Sequence, residues 1–479
     1  MIRNWLNVIP ATEQTFTLIE STAFNTEVLR SKIWYRGDTD ELSQFFKQVS
    51  KHGQKTSFWE SVPSYENIRK IHSGLPAIIV DTIAYIVNSD LDTINVDSDE
   101  WKDIEKAVDF KSIVNKSIVD TLVCGDGAFK ISVDPELFPY PIVEFISADG
   151  VEFEQSRGII TSVIFKTYHT VDSKQFILYE RYGKGIIKSN LYDSNGNEYS
   201  LDTVPKLKGI EPVYTFPGEF IMAVPLKFYS SQKFSGRGKS IFSGGKSDCF
   251  DALDEVISQW WDALRMGRVK QYIPQDMIPA NINNGSMLSP NKFGNDYIKI
   301  TPPLAEGVNN QNIEVVQPDI KYEAFVSSYS NALMMCLQGL VSPATLGIDV
   351  GKMSSAEAQR EKKDVTGNTR NTITAALEKV LPQLIEAVLK TYDLMQEKSP
   401  MNYKASVSFG EYGSPDFDSR IETIGKASSY KIMSIETQVN ELWGSSKDNK
   451  WKSAEVERIK AEQGITELSE PVFTENWEA

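Results

Sequence analysis

Two amphipathic helical patterns, separated by a segment that can continue neither of them, constrain this chain most. From about 248 to 269, Leu253, Val256, Ile257, Trp260, Trp261 and Leu264 recur at three- and four-residue steps. That spacing predicts one apolar stripe along a helix. From about 319 to 340, Phe325, Tyr329, Leu333, Leu337 and Leu340 do the same. Between them, 271–318 carries Pro274, Pro279, Pro290, Pro302, Pro303 and Pro318, many Asn and Gly, and only short β-like runs at Tyr297–Ile300 and Ile313–Val316. Proline removes a backbone donor and clashes with the preceding turn, so neither helix can run through. The chain therefore holds two rods flanking a small irregular module. A loop at 341–353 follows, with Pro343, Gly347 and Gly351, and then a long helix over about 355–398. Ser354 and Glu357 have capping-box spacing for its start. Ile373, Leu377, Val380, Leu381, Leu384, Ile385, Val388 and Leu389 make its second half apolar, and Pro382 predicts a kink.

Upstream, residues 12–50 read as helices. An apolar helix is predicted over 64–88, with a boundary or kink at Pro76, and another over about 99–122, capped by Asp97-Ser98-Asp99. The period then changes to two. Ala128–Val133 and Ile142–Phe145 read as strands, and 159–168, 175–182, 186–193 and 198–204 as an antiparallel meander. Gly183, Gly185 and Gly196 supply its turns. Gly- and Ser-rich chain at 235–247 reads as a flexible hinge. A strand at 403–409 leads into a helical segment, 416–479, with 13 acidic and 8 basic residues, a mostly solvated surface. The fold class is α+β.

Composition narrows the chemistry. The 479 residues hold 50 Lys+Arg against 65 Asp+Glu, a formal charge of −15, which argues against a protein that coats nucleic acid with a basic surface. Three cysteines (Cys124, Cys249, Cys336) and three histidines (His52, His72, His169) leave no disulfide framework, no zinc pair and little scope for histidine catalysis. The histidines read as packed or surface residues. No apolar run reaches membrane-spanning length, and Met1–Gln14 lacks a signal-peptide pattern; the expectation is a soluble protein made in a cytoplasm. Gly238-Lys239-Ser240 and Gly245-Lys246-Ser247 look like the tail of a phosphate-binding loop, but its first glycine is missing. Asp193–Asn197 places Gly196 too early for a calcium loop. Asp97/Asp99 and Asp416/Asp418 have metal-compatible spacing but read as helix caps. No catalytic residue, metal site or cofactor emerges.

The order helix, irregular insertion, helix, loop, long kinked helix resembles the phage portal protein family, in its SPP1-like branch. Ile33-Trp34-Tyr35-Arg36-Gly37-Asp38 with Glu41-Leu42 resembles the family's N-terminal W-Y-x-G-D region. Asn67 through Asp81 and Tyr85 is similar to its iv-D-x-x-x-Y helix, and Cys124–Phe129 to the turn into its first sheet. Gly236–Ser240 resembles the G-x-S lead into the stem. Ser342–Gly347 with Ser354–Ala358 is similar to the tunnel-loop region. The resemblance spans roughly 28–410 and departs from the family at Asn88-Ser89-Asp90, where relatives often carry a Gly/Pro turn.

What the resemblance implies is an elongated, non-enzymatic subunit of a ring, usually dodecameric, at one capsid vertex of a tailed phage virion, assembled in the host cytoplasm. Double-stranded DNA passes non-specifically through such a ring during packaging and ejection. Implied partners are the terminase large subunit, a head-completion or adaptor protein, and a major capsid or scaffold protein. The implied parts are a wing (1–247), stem helices (248–270 and 319–340), an α/β clip (271–318), a tunnel loop (341–354), the wing's long helix and strand (355–415) and a crown-like C-terminus (416–479). Gly347, Gly351 and Lys352 become candidate tunnel-loop residues facing DNA. Arg265, Arg268 and Lys270 form a candidate basic ring where stem meets clip, touching DNA or a neighbour; the alternative is the preference of helix C-termini for cations. Trp260 and Trp261, about 100° apart on a helix, cannot both face one core and are candidate subunit-interface residues. A metal-dependent nucleic-acid-processing enzyme and another minor capsid protein are the competing readings.

Overall fold

The computed structural model describes residues 23–49, 57–61, 68–274, 296–300, 314–348, 356–410, 424–430, 432–443 and 449–462. It divides into two compact units, Met1–Gly410 and Glu411–Ala479.

In the first unit, α1 (Phe24–Arg36) ends at Gly37 in the left-handed region, and α2 (Thr39–Val49) begins where Asp38 Oδ1 accepts from the amides of Asp40 and Glu41. That is an N-cap by a short carboxylate. After α3 (Phe58–Ser61), residues 68–74 are not helical. The helix expected over 64–88 starts only at Leu75, as α4 (Leu75–Ser89), with Pro76 in its first turn. Proline is tolerated there because its missing N–H has no intrahelical partner to lose. The helix expected over 99–122 is two, α5 (Trp101–Ala107) and α6 (Phe110–Cys124), broken at Asp109, whose φ is 50°. Its expected caps serve otherwise. Asp97 Oδ1 accepts from the Lys404 amide, and Ser98 bonds Glu100.

Strand β1 (Leu91–Val96) pairs antiparallel with the last strand of the unit, Ala405–Phe409. β2 (Asp126–Ser132) and β3 (Ile142–Ser147) join a three-stranded antiparallel sheet with Ala223–Lys227. A six-stranded antiparallel sheet follows from β4 (Val151–Ser156), β5 (Ile159–Val171), β6 (Lys174–Gly183), β7 (Ile186–Asp193) and β8 (Glu198–Tyr199), with β9 (Val213–Thr215) on β7 and β10 as the strand Ala223–Lys227 already placed. The meander is as its turns implied. The Asp172-Ser173 hairpin, both residues at positive φ, carries no glycine to announce it.

One apolar core unites α1, α4, α6, both faces of β2 and the long helix α9 (Ala356–Met395). On α9, Ile373, Leu377, Leu381, Leu384, Ile385 and Val388 are fully buried, and the helix runs on through Pro382. The six-stranded sheet keeps a smaller core of its own, with Phe176, Leu178, Leu191, Leu201, Val204 and Leu207. At the near end of the β1 ladder, Arg370 of α9 donates to Asp90 and to the Gly410 carbonyl, tying the long helix to both strands' ends.

The Gly/Ser-rich stretch is not a hinge. Asp126, wholly buried, accepts both arms of Arg237 (3.0 and 2.8 Å) and the Gly238 amide (2.5 Å). Arg237 also donates to the carbonyls of Val151 and Ala148 and lies 4.0 Å from the Phe24 ring centre. Gly125 and Gly238 pass backbone to backbone. A Cβ at Gly125 would come within 2.9 Å of the Gly238 carbonyl, and one at Gly238 would overlap the Gly125 carbonyl. Burial pushes the Asp126 carboxyl up and Arg237 pulls it back, so the charge is held only because the guanidinium is there. In the second unit, helices Ile435–Trp443 and Asn449–Glu462 pack through Val439, Val456 and an edge-to-face Trp443–Trp451 pair.

Two substitutions test this junction. Arg237→Met strands a buried carboxylate and is expected to cost about 3–5 kcal/mol in chemical denaturation. Gly238→Ala overpacks two backbones and is expected to cost about 1–3 kcal/mol or more.

Candidate functional site

The predicted rods are α7 (Lys246–Met266) and α8 (Tyr322–Leu337). They lie antiparallel. Trp260 stacks on Phe325 with ring centres 6.2 Å apart and planes at 6°, and touches Tyr329. Gly267 passes close against Ile320 at one end. At the other end Lys246 Nζ donates to the Met335 and Gln338 carbonyls, both at 2.7 Å. A cation on a helix's last carbonyls satisfies groups the helix itself leaves open. That use also explains the lysine of the incomplete phosphate-loop motif.

The irregular module contains a three-stranded sheet: β11 (Lys270–Pro274) between a parallel β12 (Asp296–Ile300) and an antiparallel β13 (Glu314–Val316). It begins three residues after Gly267 and ends before α8, so it sits where the two rods meet at their far ends. The β-like runs read from sequence are two of these strands.

The root of the hairpin is held by buried carboxylates. Asp251 accepts the backbone amides of Phe58 (2.7 Å) and Trp59 (3.2 Å). Asp254, fully buried, accepts Trp59 Nε1 (3.1 Å), the Ser73 amide (2.9 Å) and His72 Nδ1 (2.7 Å). A carboxylate only accepts, so His72 carries its proton on Nδ1. One turn on, Ser258 Oγ accepts the Ile71 amide. Lys70 bonds the Trp59 carbonyl and lies over the Phe58 and Trp59 rings. Thus the acidic first half of α7 is no solvated stripe. Asp251 accepts the first amides of α3, which have no partner within that helix, and Asp254 and Ser258 accept from the non-helical stretch 68–74 as well. Asp251, Asp254 and Ser258 fall three and four residues apart among apolar neighbours, a signal visible in sequence and not used there. His72 is a packed histidine, though not on a helix as its pattern implied.

The other sequence-derived candidates scatter. Arg265 is exposed and donates to Asp262 at 3.0 Å, and Arg268 is exposed. Lys270 begins β11, and its side chain lies outside the described set. Trp260 is half-buried within its own chain, whereas Trp261 is 61% exposed. Gly347 ends a 3₁₀ turn (Pro343–Leu346) at φ 69°, and the segment before it is pinned to α9 through Thr366 and Thr369. Gly351, Lys352, Ser354, His52 and the Asp416/Asp418 pair lie outside the described residues.

Arg265 and Arg268 do converge with a residue that sequence reading passed over. With Arg69, Ile71, Trp261 and Leu264 they line an open groove of about 580 Å³ beside the end of α7. Among the described residues no group of His, Cys, Asp or Glu is placed to hold a metal, and no helix is long and apolar enough to cross a membrane. Cys124 and Cys336 are free thiols pushed up to about 12 by burial, which suits packing and not nucleophilic chemistry.

No protein-family model matches the chain, and no curated protein matches it. Among solved structures, it is similar to a chain in the neck of a native GTA particle computed with C12 symmetry (11% identity over 82% of this chain and 96% of that one, TM-score 0.37). It is likewise similar to a chain in the virion of a native gene transfer agent (10%, 87% and 98%, TM-score 0.37) and to one in the neck of an empty GTA particle computed with C6 symmetry (12%, 81% and 96%, TM-score 0.36).

The root makes two predictions. Asp254→Asn removes the charge that three buried donors share and is expected to lower stability by about 3–5 kcal/mol, with a change in Trp59 fluorescence. Asp251 is raised to about 6, chiefly by burial, against an ordinary carboxylate value of about 3.9. The folded chain therefore holds this proton through a window in which the unfolded chain has lost it, and stability falls as pH rises through that window. Urea denaturation at stepped pH is expected to show this slope in the native chain and a flatter one in Asp251→Asn.

Proposed function

We propose that the chain is a portal-type subunit: a non-enzymatic member of a ring, most simply dodecameric, at the capsid vertex of a tailed-phage virion, through which double-stranded DNA is packaged and ejected. The observation that carries this reading is the hairpin of α7 and α8. It is rooted in the body by buried acceptors and carries a small sheet between its far ends, yet leaves Trp261, Leu264, Met266, Tyr322 and Val326 exposed. Apolar surface of that extent on a two-helix element is what packing against neighbours would cover. In this reading 1–247 and 355–415 make the wing, α7 and α8 the stem, 271–318 the clip, 341–354 the tunnel loop and 416–479 the crown. The clip would dock the terminase large subunit and later a head-completion protein, and the wing a major capsid or scaffold protein.

The charge agrees with a conduit. Each Lys or Arg contact to phosphate adds affinity by counterion release, and a ring repeats every contact in every subunit. A subunit of net charge −15 suits sliding. Gly347, Gly351 and Lys352 would be the tunnel-loop residues that face the DNA.

Negative-stain microscopy of the purified protein is expected to show rings with a central hole; a clean monomer at high concentration would overturn the reading. Incubation of the protein with plain duplex DNA and Mg²⁺ or Mn²⁺ is expected to leave the DNA intact, whereas cleavage would favour the metal-dependent enzyme.

A further inference from the structure

The two long faces of the α7–α8 hairpin differ in sign at the same height. On the α7 side, the groove of about 580 Å³ is lined by Arg69, Arg265 and Arg268 around Ile71, Trp261 and Leu264, with Asp262 as its acidic member. On the α8 side, Tyr322, Glu323 and Val326 of the helix and Asp319 just before it are exposed, with Lys321 as the one basic member among them. Gly267 against Ile320 fixes the two patches at one end of the hairpin, the end that leads into the strands. Each patch joins exposed apolar area to charge, and the charges are opposite.

We propose that the α7 groove of one copy receives the α8 face of the next, Tyr322 and Val326 covering Trp261 and Leu264 while Asp319 and Glu323 meet Arg265, Arg268 and Arg69. This inference rests on the ring reading above and specifies its contact. A patch that fits a different patch on an identical chain makes a heterologous interface, which generates a ring when the rotation between neighbours closes and an open filament when it does not. The charges set register and exclude the α7-to-α7 contact, since like charges brought together disfavour it. Duplex DNA is the competing occupant for an arginine-lined groove. Phosphate would answer the arginines but would leave Trp261, 61% exposed, and Leu264 uncovered, whereas an amphipathic helix face answers both.

The test uses the full chain and two charge reversals, Arg265→Glu with Arg268→Glu, and Asp319→Lys with Glu323→Lys. All four side chains are exposed, and circular dichroism checks that each variant folds. With mass photometry as the readout, each reversal alone is expected to raise the concentration for half-assembly roughly tenfold or more. An equimolar mixture of the two variants is expected to assemble again, because each then meets its complement at every junction, and so is the chain carrying all four changes. Rings from both single reversals at the native concentration overturn this contact and leave the ring reading standing. So do rings from the Arg265→Glu, Arg268→Glu variant that have lost retention on duplex DNA, which assign the groove to DNA. Loss without recovery in the mixture and in the fourfold variant also overturns the contact. A native chain that stays monomeric overturns both the contact and the ring.

Discussion

Everything this hairpin can do depends on how its root is held. Asp251 and Asp254 are carboxylates taken out of water, a costly arrangement unless each oxygen finds donors. Here the donors are backbone amides of Phe58, Trp59 and Ser73, an indole N–H and an imidazole N–H, all from chain outside α7. These amides open the short helix α3 or lie in the non-helical stretch 68–74, so no helix or ladder bond satisfies them. Each side thus offsets part of the other's desolvation penalty, and the part left over is what raises Asp251. The arrangement fixes α7 against the N-terminal part of the body without burying its outer face, which stays open along Trp261 and Leu264.

A third buried carboxylate works the same way at the other junction. Asp126 opens β2 directly after α6 and gathers Arg237 and Gly238. The close pass of Gly125 and Gly238 leaves no room for a side chain on either, so composition that reads as flexible is in fact the most tightly packed crossing in the unit's sheet region. Glycine and serine describe what a segment permits. Whether it moves depends on what packs against it, and that is not local information.

Much of the fold was legible because it is periodic. The stripes of α4, α7, α8 and α9, and the β6–β7–β8 run with Gly185 and Gly196 in its turns, follow from spacing alone. What was not legible depends on partners distant in the chain. β1 needs its mate at 405–409, β10 needs β2, and neither strand is long enough to announce itself. The break at Asp109 hides inside a pattern apolar on both sides. Of the site, Arg265, Arg268 and Trp261 were visible as an unbalanced charge and an unplaceable ring. Arg69 was not, since nothing in its neighbourhood marks it as adjoining a helix nearly two hundred residues further on.

By itself, then, the amino-acid order determined the long helices and most of the antiparallel meander, that two rods flank a proline-rich insert, and that one of two adjacent tryptophans would lack a core. Periodicity carries that information because side-chain direction is set by backbone geometry over a few residues. The tertiary structure alone decided that Asp251 and Asp254 of α7 face inward as acceptors, that Trp260 is the tryptophan satisfied at home, and that the basic and acidic patches lie towards the same end of one hairpin. Those are facts about which distant groups meet, and burial and charge pairing acquire their energies only once they do.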